Sequence, residues 1–191
     1  MKIILASKSP RRKQLMDQAG FEYEILVSKF DEKVDEKLSL EDKSKEIAYQ
    51  KAKDIFENTQ GDRVIIGADT MIVLEGKQYG KPKDRKDAIQ MLRTLQGKKH
   101  SVYTGLAVLI EKDGKYKEYK ELHQSNIYLK KMSDEEIENY IDCEMPFDKA
   151  GSYGIQTSFI VYIERFEGNY DVIVGLPVGR VYDILKENEI E

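Results

Sequence analysis

Helix-start signals and short apolar runs alternate along this chain, and the alternation limits the folds available to it. Residues 3–6 have the composition of a short buried strand, and Ser9-Pro10 after them is typical of a helix start, a capping residue followed by a proline. Other predicted strands are joined by tight turns such as Asp113-Gly114, which makes them antiparallel neighbours. Strands that alternate with helices and also form hairpins predict the α/β class with a mixed sheet.

The predicted elements follow from the same signals. Helices are predicted to begin at Ser9, Ser39, Asp84, Ser133 and Leu176. Strands are predicted over residues 3–6, 21–27, 64–66, 71–74, 101–111, 115–129, 159–166 and 170–174, and an ordered loop over residues 143–158. Because the sequence has no internal repeat and no low-complexity linker, we expect residues 1–191 to form a single domain, in one piece or with two lobes.

Net charge and cysteine content exclude several classes of protein. The formal net charge is −4, so bulk positive charge does not attract nucleic acid, and no nucleic-acid partner is expected. The one cysteine, Cys143, excludes an intramolecular disulfide and suits a reducing compartment. The apolar start is too short for a secretory signal, and no run approaches the roughly 20 apolar residues of a membrane span. We therefore expect a cytoplasmic protein without a membrane partner.

Histidines and nucleophiles do not form a recognisable catalytic set in this sequence. His100 and His123 both fall in predicted strands and have no second ligand at metal-binding spacing, so we expect neither to be catalytic. No serine stands in a G-x-S-x-G turn, which argues against covalent acyl chemistry. The remaining candidates are carboxylates and cations at the ends of predicted elements.

A basic cluster opens the first predicted helix. Arg11 and Arg12 occupy its first turn, where the helix dipole disfavours cations, and helical spacing directs both toward the apolar face. Together with the hydroxyl groups of Ser7 and Ser9 and the free backbone N–H groups, they could form a phosphate site. The alternative is a solvated basic turn.

Asp69 stands alone between two apolar runs, residues 64–66 and 71–74. A buried carboxylate is unfavourable unless it is paired or bound to a metal. The end of a strand is also a common place for active-site groups in α/β proteins. Asp69 is therefore a functional candidate, against the alternative of a turn aspartate that bonds the backbone.

Two lysines are weaker candidates. Lys51 falls on the apolar face of the helix that begins at Ser39, where its side chain either extends along the face to water or enters a site. Lys81 precedes a proline, which holds it in extended backbone.

A loop with two glycines, Gly151 and Gly154, carries the polar residues Asp148, Lys149 and Gln156. Glycines let a backbone come close to a ligand, so the segment is either a binding loop or a tight structural turn.

Taken in order, these motifs resemble those of the Maf family of nucleoside triphosphate pyrophosphatases. The matching segments are residues 5–12 (LASKSPRR), 67–70 (GADT), 80–82 (GKP), 148–156 (DKAGSYGIQ) and 174–177 (VGLP). They span nearly the whole chain, and five ordered motifs are far more specific than any one of them. The resemblance implies a fold similar to the inosine triphosphate pyrophosphatases, an elongated mixed α/β domain with a central cleft.

The resemblance also implies an activity and roles for individual residues. The expected reaction is hydrolysis between the α and β phosphates of a nucleoside triphosphate, by a homodimer that uses a divalent metal, Mg²⁺ or Mn²⁺. Asp69 matches the proton acceptor, Glu32 looks like the acidic residue that holds the metal together with Asp69, and Lys51 and Lys81 match the cleft lysines. The substrate-binding positions are Ser7, Ser9, Arg11, Arg12, Thr70, Asp148, Lys149 and Gln156.

Base preference is indicated by three of these positions. A branch of the family that acts on 7-methyl-GTP has tryptophan, glutamine and glutamate where this chain has Arg11, Thr70 and Gln156, so the chain resembles the dTTP/UTP branch. A glutamine amide offers both a donor and an acceptor, which complements the N3–H and carbonyl groups of thymine and uracil. Thr157 is a departure, because a glycine is usual there in this branch.

Two other functions stay open on sequence alone. Family members are linked to arrest of septum formation, so nucleotide binding could serve a cell-division switch without turnover. Direct nucleic-acid binding is the third reading, and the acidic balance argues against it.

Overall fold

The computed structural model describes residues 1–190 and confirms the α/β class with a mixed sheet. The strands are β1 (Lys2–Leu5), β2 (Glu24–Ile25), β3 (Arg63–Leu74), β4 (Lys77–Tyr79), β5 (Lys99–Lys112), β6 (Lys115–Leu129) and β7 (Ile163–Glu167). The α-helices are α1 (Pro10–Gln18), α2 (Leu40–Glu57), α3 (Arg85–Leu95), α4 (Asp134–Glu144), α5 (Tyr170–Val174) and α6 (Val178–Glu187), and short 3₁₀ turns lie at Ala150–Ser152 and Ser158–Tyr162.

The strands of the described chain form one sheet in the order β2-β1-β3-β5-β6-β7, with β4 beside β3. Strand β1 pairs in parallel with β2 and β3, whereas β3–β4 and β6–β7 are antiparallel. Among residues 1–190, no helix is long and apolar enough to cross a membrane.

The chain divides into two compact units, each with its own apolar cluster. Unit 1 comprises Met1–Asp69, Thr104–His123 and the chain from Gly175 onward, and unit 2 comprises Thr70–Tyr103 and Gln124–Val174. In unit 1, alanines of α2 pack with apolar residues of β1, β3 and β5. In unit 2, α3 and α4 pack around the fully buried Phe159.

Helix α2 lies in close contact with the sheet because glycines face it. A Cβ on Gly67 of β3 would lie 2.2 Å from the carbonyl oxygen of Ala48, and one on Gly105 of β5 would lie 2.3 Å from that of Ser44. Neither position accommodates a side chain without displacing the helix. The two glycines therefore set how near α2 comes to β3 and β5.

Most of the predicted helix starts are confirmed by their capping contacts. Ser39 Oγ accepts a hydrogen bond from the backbone N–H of Asp42, and Asp84 caps α3 in the same way. Ser133 and Glu136 form a reciprocal capping box at the start of α4. Ser9 precedes α1, but its side chain makes no capping bond.

The sequence predicted two separate strands on either side of Asp69, and this prediction is wrong. The runs at residues 64–66 and 71–74 belong to a single strand, β3, so Asp69 lies within a strand and not at its end. Glycine and aspartate are unfavourable in strands, which is why the sequence indicated a break. Here Gly67 is required by the contact with α2, and Asp69 is paired with a lysine.

Two other predicted strands are wrong in part, and a third is wrong over its whole length. Residues 21–27 give only Glu24–Ile25, since β2 pairs with just the last two residues of β1 and both of its own residues are exposed. In the 159–166 segment the first residues form a 3₁₀ turn, because Thr157 caps the N–H of Phe159, and the strand begins only at Ile163. Residues 170–174 form helix α5, in which the N–H of Ile173 bonds the carbonyl of Asn169.

Candidate functional site

The segment that leads into α1 holds a half-buried arginine in place. Arg12 Nε donates to the carbonyl oxygen of Gly175 at 2.8 Å, and its Nη1 donates to Ser7 Oγ at 3.2 Å. The same Ser7 oxygen accepts the backbone N–H of Ser9 at 3.2 Å. Ser7, which is buried, therefore ties the helix start to the guanidinium group.

The electrostatic surroundings of Arg12 include both predicted acidic residues. Burial lowers the pKa of the guanidinium from its ordinary value, the Asp69 carboxylate opposes this, Arg11 adds to the lowering, and Glu32 opposes it again. An arginine stays charged under such a shift, because its ordinary pKa is so high. Arg12 thus places a permanent positive charge beside Asp69 and Glu32.

Lys51 joins the two acidic residues directly. Its Nζ lies 3.0 Å from Asp69 Oδ1 and 2.8 Å from Glu32 Oε1. The Lys51 and Asp69 side chains are only 12% and 14% exposed, whereas Glu32 is 55% exposed. Of the two positions open to Lys51 from the sequence, the structure shows the one in which the ammonium is turned away from solvent, toward Asp69 and Glu32.

The contact between α2 and β3 explains why Lys51 reaches Asp69. Gly67 and Asp69 are two residues apart in β3, so they face the same side of the strand. Gly67 lies against Ala48 and Ala52 of α2, and Lys51 occupies the same helical face as these alanines. The absence of a side chain at Gly67 therefore brings the lysine within hydrogen-bonding distance of the carboxylate.

Ser44 holds the backbone of Asp69, and the sequence analysis missed this residue. Its fully buried Oγ donates to the main-chain oxygen of Asp69 at 3.2 Å and accepts the N–H of Gly105 at 2.9 Å. One hydroxyl thereby links α2, β3 and β5. The available signal was a serine on the apolar face of α2, three residues before Ile47.

In unit 2, a backbone hydrogen bond brings two of the sequence motifs together. The N–H of Gly151 donates to the carbonyl of Gly80 at 3.0 Å, which places the glycine loop beside the segment that carries the exposed Lys81. Gly151 and Ser152 both have left-handed backbone, with φ of 66° and 64°. A Cβ on Gly151 would lie 2.6 Å from Cδ1 of Ile72, so the turn is packed against the core of unit 2.

The rest of this loop is fixed by polar contacts. Lys149 Nζ pairs with Asp148 Oδ1 at 2.7 Å. Thr157 Oγ1 donates to the carbonyl of Gly154 at 2.8 Å and lies 3.3 Å from the hydroxyl of Tyr140. Gln156 is half-buried and lies in sequence between Gly154 and Thr157, which this hydrogen bond joins.

The predicted site residues thus fall into one group in each unit. Ser7, Ser9, Arg11, Arg12, Glu32, Lys51 and Asp69 belong to unit 1, and Thr70, Lys81, Asp148, Lys149 and Gln156 belong to unit 2. Within unit 1, ion pairs connect Lys51 with both carboxylates, and a hydrogen bond connects Arg12 with Ser7.

His100 lies in the core of unit 2. Burial lowers its pKa to about 4, and its Nε2 lies 2.6 Å from the hydroxyl of Tyr153. The ring is therefore neutral near pH 7, and its Nδ1 has no hydrogen-bond partner in the described part of the chain.

A divalent metal fits the two acidic residues of unit 1 but needs further ligands. In residues 1–190, no group of three or more histidine, cysteine, aspartate or glutamate side chains is placed to hold a metal. The Glu32 and Asp69 carboxylates nevertheless meet at one cation, the Lys51 ammonium, and carboxylate oxygens are the ligands that Mg²⁺ prefers. Substrate oxygens and water would have to complete such a site.

Comparisons with known proteins agree with the motifs. A family model described as Maf-like protein matches residues 2–188. A dTTP/UTP pyrophosphatase of Thermoanaerobacter sp. is 42% identical over 186 residues, covering 97% of this chain and 96% of the relative. Relatives with the same name are 43% identical over 186 residues in Alkaliphilus oremlandii, covering 97% and 95%, and 39% identical over 190 residues in Bacillus cereus, covering 100% and 97%.

A solved structure, described as a nucleoside-triphosphatase or dITP/XTP pyrophosphatase from Mycobacterium abscessus, is a more distant match. It is 13% identical with a TM-score of 0.41, covering 69% of this chain and 76% of that one.

Proposed function

Because this chain belongs to the Maf-like protein family, we propose that it is a dTTP/UTP pyrophosphatase, which releases the nucleoside monophosphate and diphosphate. The observation that carries the proposal is the cluster in unit 1, where the little-exposed Asp69 carboxylate lies against Lys51 and near Arg12. Hydrolysis between the α and β phosphates needs a base for the attacking water and cations for the leaving diphosphate, and the cluster holds both kinds of group.

Asp69 takes the proton of the water that attacks the α-phosphorus. Asp69 is held at its side chain by Lys51, which pairs with Oδ1, and at its backbone by Ser44, which donates to the main-chain oxygen. A base held in this way loses little freedom when the substrate binds, which favours a defined direction of attack.

Fixed cations offset the charge that develops on the phosphates. Arg12 is anchored by Ser7 and Gly175, so its guanidinium is already oriented for phosphate oxygens. Lys51 and Lys81 add ammonium groups on flexible side chains. The backbone and hydroxyl groups of Ser7 and Ser9 lie at the start of helix α1, and helix starts commonly bind anions.

Glu32 and Asp69 would hold the divalent metal, Mg²⁺ or Mn²⁺. When bound, the metal would neutralise phosphate charge and orient the phosphate oxygens. Glu32 has a left-handed backbone with φ of 54°, and its side chain reaches Lys51 from a mostly exposed position.

Base choice is assigned to Arg11, Thr70 and Gln156, with Asp148 and Lys149 on the same loop as Gln156. The amide of Gln156 complements the donor and acceptor edge of uracil and thymine. Thr157 is compatible with this role, because its hydroxyl bonds the carbonyl of Gly154 and so closes the turn that contains Gln156.

A screen for diphosphate release tests the function. The protein is incubated with dTTP, UTP, CTP, GTP and dITP, each with Mg²⁺, with Mn²⁺ and with EDTA. We expect metal-dependent release of diphosphate and monophosphate, fastest with dTTP and UTP. Release of orthophosphate, or nucleotide binding without any turnover, would contradict the proposal, and the second result would favour a regulatory binding protein.

The proposal also includes a homodimer in the cytoplasm, and both rest on the family resemblance. Light scattering on a sizing column measures the molar mass in solution. A mass of about twice the 22.1 kDa chain is expected.

A further inference from the structure

The Lys51 ammonium occupies the point at which the carboxylates of Glu32 and Asp69 meet. Its contacts, 2.8 Å to Glu32 Oε1 and 3.0 Å to Asp69 Oδ1, involve one oxygen of each carboxylate. Lys51 is only 12% exposed, so its charge is little screened by water. The single positive charge of the lysine thus already offsets part of the charge of the acidic pair.

A divalent metal at the same carboxylates would face this ammonium directly. Lys51 Nζ is the shared partner of one oxygen from each carboxylate, so an ion held by the same two oxygens would have to take its place. A metal ion and an ammonium group held by the same two oxygens would repel each other strongly in a partly buried site. Metal and ammonium therefore cannot both occupy the space between the two carboxylates.

Lys51 has a means of leaving that Asp69 does not. Asp69 is held by its strand and by Ser44, whereas the lysine ends in a flexible four-carbon side chain. A triphosphate in the site would supply new oxygens for the ammonium. Without such an anion, the ammonium would exchange two ionic partners for water alone.

We propose that Lys51 and the divalent metal compete for Glu32 and Asp69, so that metal binds tightly only together with the nucleotide. The inference rests on the proposed function for the identity of that nucleotide. Lys51 then hinders the binding of metal without nucleotide, in addition to its role as a phosphate-binding cation.

Mn²⁺ binding to the nucleotide-free protein tests the competition. Free Mn²⁺ is measured by electron paramagnetic resonance during titration of the wild type, Lys51→Met and the control Lys53→Met. Lys53 lies on the same helix, is 42% exposed and pairs only loosely with Glu57 at 3.7 Å. We expect Lys51→Met to bind Mn²⁺ at least about tenfold tighter than the wild type, and Lys53→Met to match the wild type.

Two further measurements complete the test. Adding Glu32→Gln to Lys51→Met should remove the gain, because the ion then loses one of its carboxylates. In the wild type, a non-hydrolysable dTTP analogue should raise Mn²⁺ affinity beyond the Mn²⁺ that the analogue binds without protein, and this measurement holds even if the Lys51 variant folds poorly. Equal Mn²⁺ affinity of folded Lys51→Met and wild type, or a gain that survives Glu32→Gln, overturns the competition.

The proposed function fails separately. If the proposed function is wrong, the wild type will release no diphosphate from dTTP or UTP in the presence of metal. Lys51 is unchanged in that measurement. The Mn²⁺ titration of the nucleotide-free protein contains no substrate, so its result does not depend on turnover.

Discussion

Lys51 Nζ lies 3.0 Å from Asp69 Oδ1, across a contact in which a helix rests on a glycine of the neighbouring strand. The pair joins a cation and a carboxylate that are 18 residues apart in the chain. Its position depends on the close packing of α2 on β3, so changes in packing, in hydrogen bonding and in charge should each affect the proposed reaction in a distinguishable way.

Asp69→Asn should lower kcat for diphosphate release by about 10²–10⁴-fold, because the amide cannot accept the proton of the attacking water. The variant should remain folded, since the shape of the side chain is kept. Asp183→Asn, on the exposed surface of α6, is the matched control and should keep the wild-type rate. Near wild-type turnover by Asp69→Asn would rule out its role as the base.

Arg12→Lys should lower kcat/KM by about tenfold or more, although the charge is retained. A lysine cannot donate to the Gly175 carbonyl and Ser7 Oγ while presenting a planar pair of donors to phosphate. Arg93→Lys, at an exposed ion pair with Asp134, controls for the chemistry of the exchange. Equal kcat/KM for both variants would show that Arg12 contributes only its charge.

Ser44→Ala should lower kcat more than it changes KM, because the Asp69 backbone loses its hydrogen bond. The free energy of unfolding should also fall by about 1–3 kcal/mol, since the N–H of Gly105 is left without its partner. Ser125→Ala is the matched control, because Ser125 is equally buried and exchanges two hydrogen bonds with the backbone of Asn169. A similar loss of stability with unchanged kcat is expected there, and the same outcome for Ser44→Ala would assign it a structural role alone.

Gly67→Ala should destabilise the protein by about 1–3 kcal/mol and lower activity, since the new Cβ would lie 2.2 Å from the Ala48 carbonyl and push α2 from β3. Urea unfolding measures the first effect and diphosphate release the second. Gly80→Ala is the control for stability, because its Cβ would meet nothing within 4 Å. A Gly67→Ala variant as stable as the wild type would contradict the close packing.

His100 should make stability depend on pH between about 6.5 and 4. Burial depresses its pKa to about 4 from an ordinary value near 6.5, so the unfolded chain takes up a proton first as the pH falls. The stabilisation is complete above pH 6.5 and is lost progressively toward pH 4, by about 3 kcal/mol in total. In urea unfolding between pH 7.5 and 4, the free energy of unfolding should fall less steeply with decreasing pH for His100→Gln than for the wild type.

The sequence predicted those elements whose signals are local. The caps at Ser39, Asp84 and Ser133 depend on residues three positions away, and each is found where it was predicted. The strand predicted at residues 170–174 is wrong because five residues fit a helical turn as well as a strand.

Features set by contacts between distant residues could not be derived in this way. Asp69 continues a strand because Lys51 pairs with it and α2 requires a glycine two residues before it. The spacing of apolar residues on α2 placed Lys51 on the inner face, but it could not show whether the ammonium extends to solvent or turns inward. Ser44 had no polar neighbour in sequence to mark it, since its partners are 25 and 61 residues away.

Strand β3 continues without a break through Asp69 and Thr70, and successive side chains of a strand point to opposite faces. In the proposed assignment, one of these residues takes a proton and the next helps to select the base. Evolution can then alter the second without repacking the first, so a change at Thr70, one of the three positions assigned to base choice, would leave the hydrolytic group in place.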